Sequence, residues 1–175
     1  MEIVIKMNRN IPEKSELQKF IDYLMITFPL IRTGKVFILI EKTRNLYLKA
    51  DCGNLCGYEC KDGKKVSRMT MKLPKVYTLQ RVIVTLAHEY CHSLQSDRSE
   101  NVHFMGGLSR KEKAAGGNER ELEADVFGVK VASEYMNIHP HTLLEELWDV
   151  GLYRISKPAC AEKFGYVHLK RDGCV

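Results

Sequence analysis

The segment His88-Glu89-Tyr90-Cys91-His92 constrains this chain more than any other. On a helix, two histidines four residues apart project about 40° from each other, so both imidazoles can bind the same divalent metal ion. Glu89 lies about 100° around that helix, beside the pair. From there its carboxylate can reach a water molecule in an open coordination position of the metal. The motif therefore predicts a metal site with a general base next to it.

The residues around the motif have the periodicity of an amphipathic helix from about Thr78 to Ser96. Its apolar arc consists of Leu79, Val82, Ile83, Leu86, Ala87, Tyr90 and Leu94. A solvated face usually carries mixed Lys and Glu, but the opposite side carries Arg81, Thr85, His88, His92 and Gln95. This composition favours a polar cleft, and we expect the two histidines to line it.

The residues directly after the motif do not offer the third ligand that a catalytic zinc ion needs. A metzincin would have a histidine six residues after His92 and a glycine three residues after it, but Arg98 and Gln95 stand there. Asp97 lies about 140° from the ligand face, and we expect it to mark the end of the helix. The third ligand is therefore sought in another helix.

A second helical pattern, from Glu119 to about Asn137, contains acidic candidates. On a helical projection, Glu121 and Asp125 lie in the middle of the apolar arc, whereas Glu119 and Glu123 lie on the solvent side. A buried carboxylate must be paired or bind a metal, so we expect Glu121 to be the third ligand. Asp125 is placed to accept the free ring N–H of a ligating histidine. The alternative is a structural carboxylate bonded to an arginine or to backbone.

At these two motifs the chain resembles the ImmA/IrrE-type metallopeptidases, a family of small gluzincins. The family pattern is H-E-x-x-H followed roughly thirty residues later by E-x-E-A-[DN]-x-F-[AG]. The second element reads here Glu121-Leu122-Glu123-Ala124-Asp125-Val126-Phe127-Gly128. The segment 142–152 is similar to the helix and turn that follow in the family, so the resemblance covers about residues 78–156.

The resemblance implies a zinc-dependent endopeptidase in which His88, His92 and Glu121 bind Zn²⁺ and Glu89 is the base. The substrate would be a protein or peptide, and members of the family often act on one transcriptional repressor. Two alternatives stay open: a regulatory or binding module with a zincin fold and a mainly structural zinc, and a peptidase linked to nucleic acid. The family often has Gly before the second histidine, whereas Cys91 stands here and leaves open a thiol near the metal.

The remaining patterns predict an α+β, zincin-like fold. A helix from Pro12 to about Phe28 is expected to precede short strands joined by turns, at Val36–Ile40, Asn45–Ala50, Gly57–Cys60 and Lys65–Leu73. Asp62-Gly63 marks a tight hairpin between the last two strands. We therefore expect an N-terminal helix and a small, mostly antiparallel sheet, packed on the two metal-binding helices and followed by short C-terminal helices.

The chain has 175 residues and is expected to be a single metallopeptidase domain. Within it we expect the helix and sheet in residues 1–77, the metal-binding helices in 78–137 and a C-terminal helical tail in 138–175. The sequence gives no indication of oligomeric state.

Composition limits the compartment and the redox state. Hydrophobic residues make up 45% and charged residues 28%, and no apolar run could cross a bilayer, which is typical of a cytoplasmic protein that does not contact a membrane. Met1–Met7 has the pattern of a short strand, not of a signal peptide. The six cysteines are therefore expected to be thiols. A second metal site or redox pairing at Cys52, Cys56 and Cys60 stays open, as does the role of Cys174.

Two surface features leave alternatives open. The net charge of +5 includes a basic cluster of Lys61, Lys64, Lys65, Arg68, Lys72 and Lys75. The cluster admits nucleic acid, but without interleaved aromatic residues it is more typical of a solvated strand face. The segment Asp97–Gly117 has paired glycines and is either a lid or a plain surface connection. The donor to a developing oxyanion is undecided among the other histidines (His103, His139, His141 and His168), Tyr135 and Tyr153.

Overall fold

The computed structural model describes residues 1–42, 53–61, 64–73, 77–98, 117–149 and 157–165. In this part of the chain the elements follow one another as β1 (Glu2–Met7), α1 (Lys14–Thr27), β2 (Thr33–Lys42), β3 (Gly53–Lys61), β4 (Lys64–Leu73), α2 (Leu79–Arg98), α3 (Gly117–Met136), α4 (Pro140–Asp149) and α5 (Lys157–Lys163). The predicted α+β class is confirmed. The strand predicted at Asn45–Ala50 and most of the possible lid, residues 99–116, lie outside the described residues.

The prediction of a mostly antiparallel sheet is wrong. The strand order is β1-β2-β4-β3, and β2 pairs in parallel with both β1 and β4. Between β3 and β4 the pairing is antiparallel, with Lys61 opposite Lys64, as the hairpin predicted. The physical reason for the error is that β1 and β2 are connected through α1. A helical crossover returns the chain to the sheet in the same direction, so these two strands are parallel. The N-terminal strand and helix were each visible as separate patterns, and their joint role as a crossover unit was missed.

One face of the sheet is buried beneath helices. Along β2 the side chains alternate, so that Val36, Ile38 and Ile40 are buried and the residues between them are partly exposed. The register places Ile38 beside Met69 of β4, which is also buried. Helix α1 buries five apolar residues on one face, Leu17, Phe20, Ile21, Leu24 and Met25. Each such side chain contributes about 1.5–3 kcal/mol when it leaves water, and together they hold the helices on this face.

The second half of helix α2 is fixed to the sheet and to the segment that leads into it. Ser93 Oγ lies 2.9 Å from Ser67 Oγ of β4, and the Tyr90 hydroxyl donates to the Phe28 carbonyl over 2.8 Å. The end of the helix is tied down by Asp97, which is 5% exposed. Its carboxylate accepts hydrogen bonds from the backbone N–H groups of residues 31 and 32 and from the Thr33 hydroxyl, at 2.6–3.2 Å. Since one side of α2 is held in this way, its other side is left for α3.

Helix α3 ends in a Schellman motif. Asn137 has φ 54°, and the N–H groups of Asn137 and Ile138 donate back to the carbonyls of Glu134 and Ser133 over 3.4 and 3.1 Å. The chain then turns into α4, and both α4 and α5 contact α3. These are the short C-terminal helices that the sequence predicted. Among the helices of the described residues, none combines the length and the apolar character needed to cross a membrane.

Candidate metal centre

Helices α2 and α3 make a close backbone contact at Gly128. A Cβ atom at this position would lie 2.9 Å from the Val84 carbonyl oxygen and 3.3 Å from the backbone nitrogen of His88. No side chain fits there without movement, so the glycine allows the two backbones to approach. The contact sets α3 directly opposite the first histidine of the motif, and it brings the acidic residues in the first half of α3 within reach of it.

The structure brings the three predicted ligands together. His88 Nε2 and His92 Nε2 are 3.1 Å apart. The Glu121 carboxylate faces both, with Oε2 at 3.5 Å from His88 Nε2 and Oε1 at 3.5 Å from His92 Nε2. Donor atoms about 2.0–2.1 Å from a tetrahedral zinc ion would be about 3.3–3.4 Å from one another. The observed separations fit this value, and these three residues form a group that can hold a metal ion.

The first histidine is oriented by α3. Its Nδ1 atom lies 2.9 Å from Asp125 Oδ1, so the ring N–H donates to that carboxylate and Nε2 faces the other donor atoms. Burial alone would lower the pKa of His88, but the bonds to Asp125 and Glu121 and the charge of Glu89 outweigh it and raise the pKa to about 10. This surrounding charge favours the protonated ring, and Nε2 binds a metal ion only when it carries no proton.

The second histidine is oriented by a residue of its own helix. His92 Nδ1 lies 2.9 Å from Gln95 Oε1. The Gln95 amide nitrogen donates in turn to the Arg120 carbonyl over 3.0 Å and to Glu123 Oε2 over 2.7 Å. Sequence reasoning placed Gln95 on the polar face of its helix but gave it no role. The spacing of His92 and Gln95 could have indicated this contact, because residues three apart on a helix are neighbours.

The predicted base borders the same space. Glu89 Oε1 lies 3.8 Å from His88 Nε2, the atom that faces the metal position, and its side chain is 12% exposed. A carboxylate with little solvent around it, close to a metal position, is well placed to exchange a proton with a water molecule in that space. The structure therefore places the predicted base next to one of the three donor atoms, His88 Nε2.

The helical projection of α3 predicted the exposed residues correctly, but it predicted the two carboxylates of the site to be more buried than they are. Glu119 and Glu123 are exposed, as expected. Glu121, however, is 35% exposed and Asp125 19%, whereas both were predicted in the middle of the buried arc. The deepest positions are Ala124, Gly128, Val129, Val131 and Ala132. Both carboxylates thus lie at the margin of the packed surface, where the space between the helices opens to solvent.

The cysteine inside the motif is not a further donor. Cys91 is 3% exposed, and burial, together with the negative charge of Glu123, raises the pKa of its thiol to about 12. The metal-binding group found among the described residues does not include it. Cys160 is likewise buried and outside any disulfide, as expected. Cys56 and Cys60 lie on β3, and Cys52 and Cys174 lie outside the described residues.

The structure does not bring Tyr135, His139 or His141 to the three donor atoms. Tyr135 packs its ring on Phe20 of α1 and lies ten residues beyond Asp125, about 15 Å along the helix. His139 Nδ1 accepts from the His141 N–H at the start of α4, and His141 Nε2 donates to a carbonyl of the segment after α5. The other candidates for the oxyanion donor, His103, Tyr153 and His168, lie outside the described residues.

The basic cluster has members on both faces of the sheet. Lys65 Nζ donates to the Ser96 carbonyl over 2.7 Å, at the end of α2. Arg68 is on the opposite face, with its guanidinium 5.4 Å from the centre of the Phe37 ring. Lys72, four residues after Arg68 on β4, is also exposed and lies on the same face as Arg68. A peptidase linked to nucleic acid therefore stays an alternative.

Comparisons with protein-family models, with curated proteins and with solved structures found no match to this chain. The metal site is therefore inferred from the geometry of α2 and α3.

Proposed function

We propose that this protein is a zinc-dependent endopeptidase of the gluzincin type, similar to the ImmA/IrrE-type metallopeptidases. The observation that carries the proposal is the convergence of His88 Nε2, His92 Nε2 and the Glu121 carboxylate, with separations of 3.1–3.5 Å between facing donor atoms. Each histidine has its other ring nitrogen occupied by a hydrogen-bond partner, as metal-ligating histidines almost always do.

The donor set fits zinc. Two imidazoles and one carboxylate are the protein ligands of many catalytic zinc ions, and such sites keep a fourth position for water or substrate. When bound, zinc supplies two effects: it lowers the pKa of a bound water, and it polarises the peptide carbonyl. The site is open to solvent at Glu121, which is 35% exposed, so a peptide can approach it.

The remaining chemistry belongs to Glu89. Its carboxylate takes a proton from the attacking water and passes that proton to the nitrogen of the leaving amine. Asp125 holds the ring of His88 by accepting its Nδ1 proton, so that the other ring nitrogen keeps its lone pair for the metal. As the resemblance implies, we expect the substrate to be one specific protein, such as a transcriptional repressor, and not proteins in general.

Glu89→Gln tests the catalytic assignment. The amide keeps the size of the side chain but cannot take a proton, so hydrolysis should fall about 10²–10⁴-fold while zinc content stays that of the parent. A proteome-derived peptide library, with new N-termini detected by mass spectrometry, supplies candidate substrates. Equal cleavage by Glu89→Gln and the parent would show that Glu89 is not the base.

The alternative is a regulatory module in which the zinc is structural. The described residues supply three protein donors, which favours an open fourth position and therefore catalysis. A peptide hydroxamate binds an open zinc position and has no site on a closed one. Competition between the hydroxamate and a fluorescent analogue should therefore show saturable, zinc-dependent binding. No binding to the zinc-loaded protein would favour the structural role, whereas inertness toward a general substrate such as casein would not decide between the two.

A further inference from the structure

We infer that Gln95 is a positioning residue for His92, and that Glu123 acts on the metal site through Gln95. The inference rests on the proposed metal site and extends it to two residues outside the ligand set. One is a neutral amide on α2, and the other is an exposed carboxylate on α3. Neither is one of the three donor residues, but Gln95 contacts one of them, His92.

The hydrogen bonds of Gln95 define which end of its amide faces the histidine. Its nitrogen has two protons, which point to two acceptors, the Arg120 carbonyl and Glu123 Oε2. A reversed amide would place its oxygen against those two oxygens, which is repulsive. The Gln95 oxygen is therefore the atom that faces His92 Nδ1, at 2.9 Å. An oxygen only accepts, so Nδ1 carries the proton and Nε2 keeps its lone pair for the metal.

The same contact links the two helices next to the third ligand. Arg120 and Glu123 lie on either side of Glu121 along α3, and both bind the Gln95 amide. The bridge therefore fixes the position of the Glu121 backbone relative to His92 while it orients the imidazole. Residues that hold a metal ligand in this way typically change metal affinity by about 10–100-fold when they are replaced.

Zinc affinity, measured by competition with a chelating dye, tests the inference without any need for hydrolysis. Gln95→Met keeps the length of the side chain but removes both functions of the amide, and it should weaken zinc binding about tenfold. Glu123→Ala should weaken it by a smaller factor, because the Arg120 carbonyl still holds the amide. Glu134→Ala is the matched control: it removes an exposed glutamate from the same helix, and it should leave the affinity unchanged. Thermal unfolding of the metal-free proteins checks that the variants fold.

Two further variants separate this relay, which runs from Glu123 through Gln95 to His92, from a direct attraction between the Glu123 charge and the cation. Glu123→Gln loses the charge but can still accept the bond from Gln95, so it should bind zinc more tightly than Glu123→Ala. In the Gln95→Met background, Glu123→Ala should have no further effect, because the connection is already broken. The inference is overturned if Gln95→Met binds zinc as tightly as the parent, or if the effect of Glu123→Ala persists in full in that background.

The outcomes also separate this inference from the proposed function. A parent protein that binds no zinc overturns both. A parent that binds zinc, with Gln95 variants of equal affinity, overturns the relay and leaves the proposed peptidase standing. A relay found in a protein that cleaves no peptide supports the inference and contradicts the catalytic part of the proposed function.

Discussion

The two histidines of the motif are held in different ways, although they lie one helical turn apart. His88 donates directly to Asp125 of the neighbouring helix. The backbones of the two helices are in contact next to His88, at Gly128. His92 donates to Gln95 of its own helix, and it reaches α3 only through the further bonds of that amide. Packing thus places the first ligand, and a polar bridge places the second. Changes on the His88 side should therefore lower both metal affinity and stability, whereas changes on the His92 side should lower metal affinity with a smaller loss of stability.

The two histidines should differ most in how much zinc affinity is lost when the hydrogen-bond partner of each is removed. Asp125→Ala takes away a charged acceptor, so we expect zinc binding to weaken about 100-fold, at the upper end for such residues. Asp125→Asn should be intermediate, because the amide oxygen still accepts the ring proton without a charge. Dye competition under the conditions used for Gln95→Met allows the direct comparison. If Gln95→Met costs more affinity than Asp125→Ala, the ranking of the two supports is wrong.

The free energy of unfolding should also be more sensitive to changes on the His88 side, where the two helices pack closely. Gly128→Ala puts a methyl group 2.9 Å from the Val84 carbonyl oxygen, so α2 and α3 must separate. We expect a loss of about 1–3 kcal/mol in the free energy of unfolding, measured with denaturant on the metal-free protein. Lys130→Ala, on the exposed face of the same helix, is the control. Gln95→Met should cost less stability than Gly128→Ala, and the reverse order would remove the distinction between packing and bridge.

A smaller effect is expected at the end of α2, beyond His92. Burial alone would raise the pKa of Asp97, but hydrogen bonds from the Thr33 hydroxyl and from the backbone of Arg32 and Ile31 outweigh it and lower the pKa. A carboxylate with a lowered folded-state pKa stabilises the protein above its unfolded value of about 3.9, and this stabilisation is lost as the pH falls through the folded value.

Asp97→Asn should therefore cost about 1 kcal/mol in the free energy of unfolding at neutral pH. It should also make the fall in stability below about pH 4 shallower than in the parent. Denaturant unfolding at several pH values measures both effects. An unchanged slope in the variant would mean that the anchor of α2 does not depend on the charge of Asp97.

Much of the site could be predicted from sequence because helices place residues regularly. The four-residue spacing fixed His88 and His92 on one face, and the projection of α3 separated Glu121 and Asp125 from Glu119 and Glu123. The sheet was harder, since strand direction depends on how distant segments connect. Without recognition of the crossover through α1, the parallel pairing of β1 with β2 had no visible signal.

The polar bridge shows a second limit of the sequence. Glu123 lies on the solvent side, as its helical phase predicted, but it also binds Gln95 of the other helix. Helical periodicity describes one element at a time, so it cannot show which exposed side chains meet across two helices. For the same reason, periodicity could not predict the exposure of Glu121, which depends on the distance between α2 and α3 at this residue.

The zinc content of the purified protein and of Glu121→Ala tests the metal site most directly. Glu134→Ala is a better control here than Glu123→Ala, because Glu123 contacts Gln95. Elemental analysis should find near-stoichiometric zinc in the parent and in Glu134→Ala, and strongly depleted zinc in Glu121→Ala, which loses one of three protein ligands. Full zinc content in Glu121→Ala, or none in the parent, would contradict the assignment of His88, His92 and Glu121 as a zinc site.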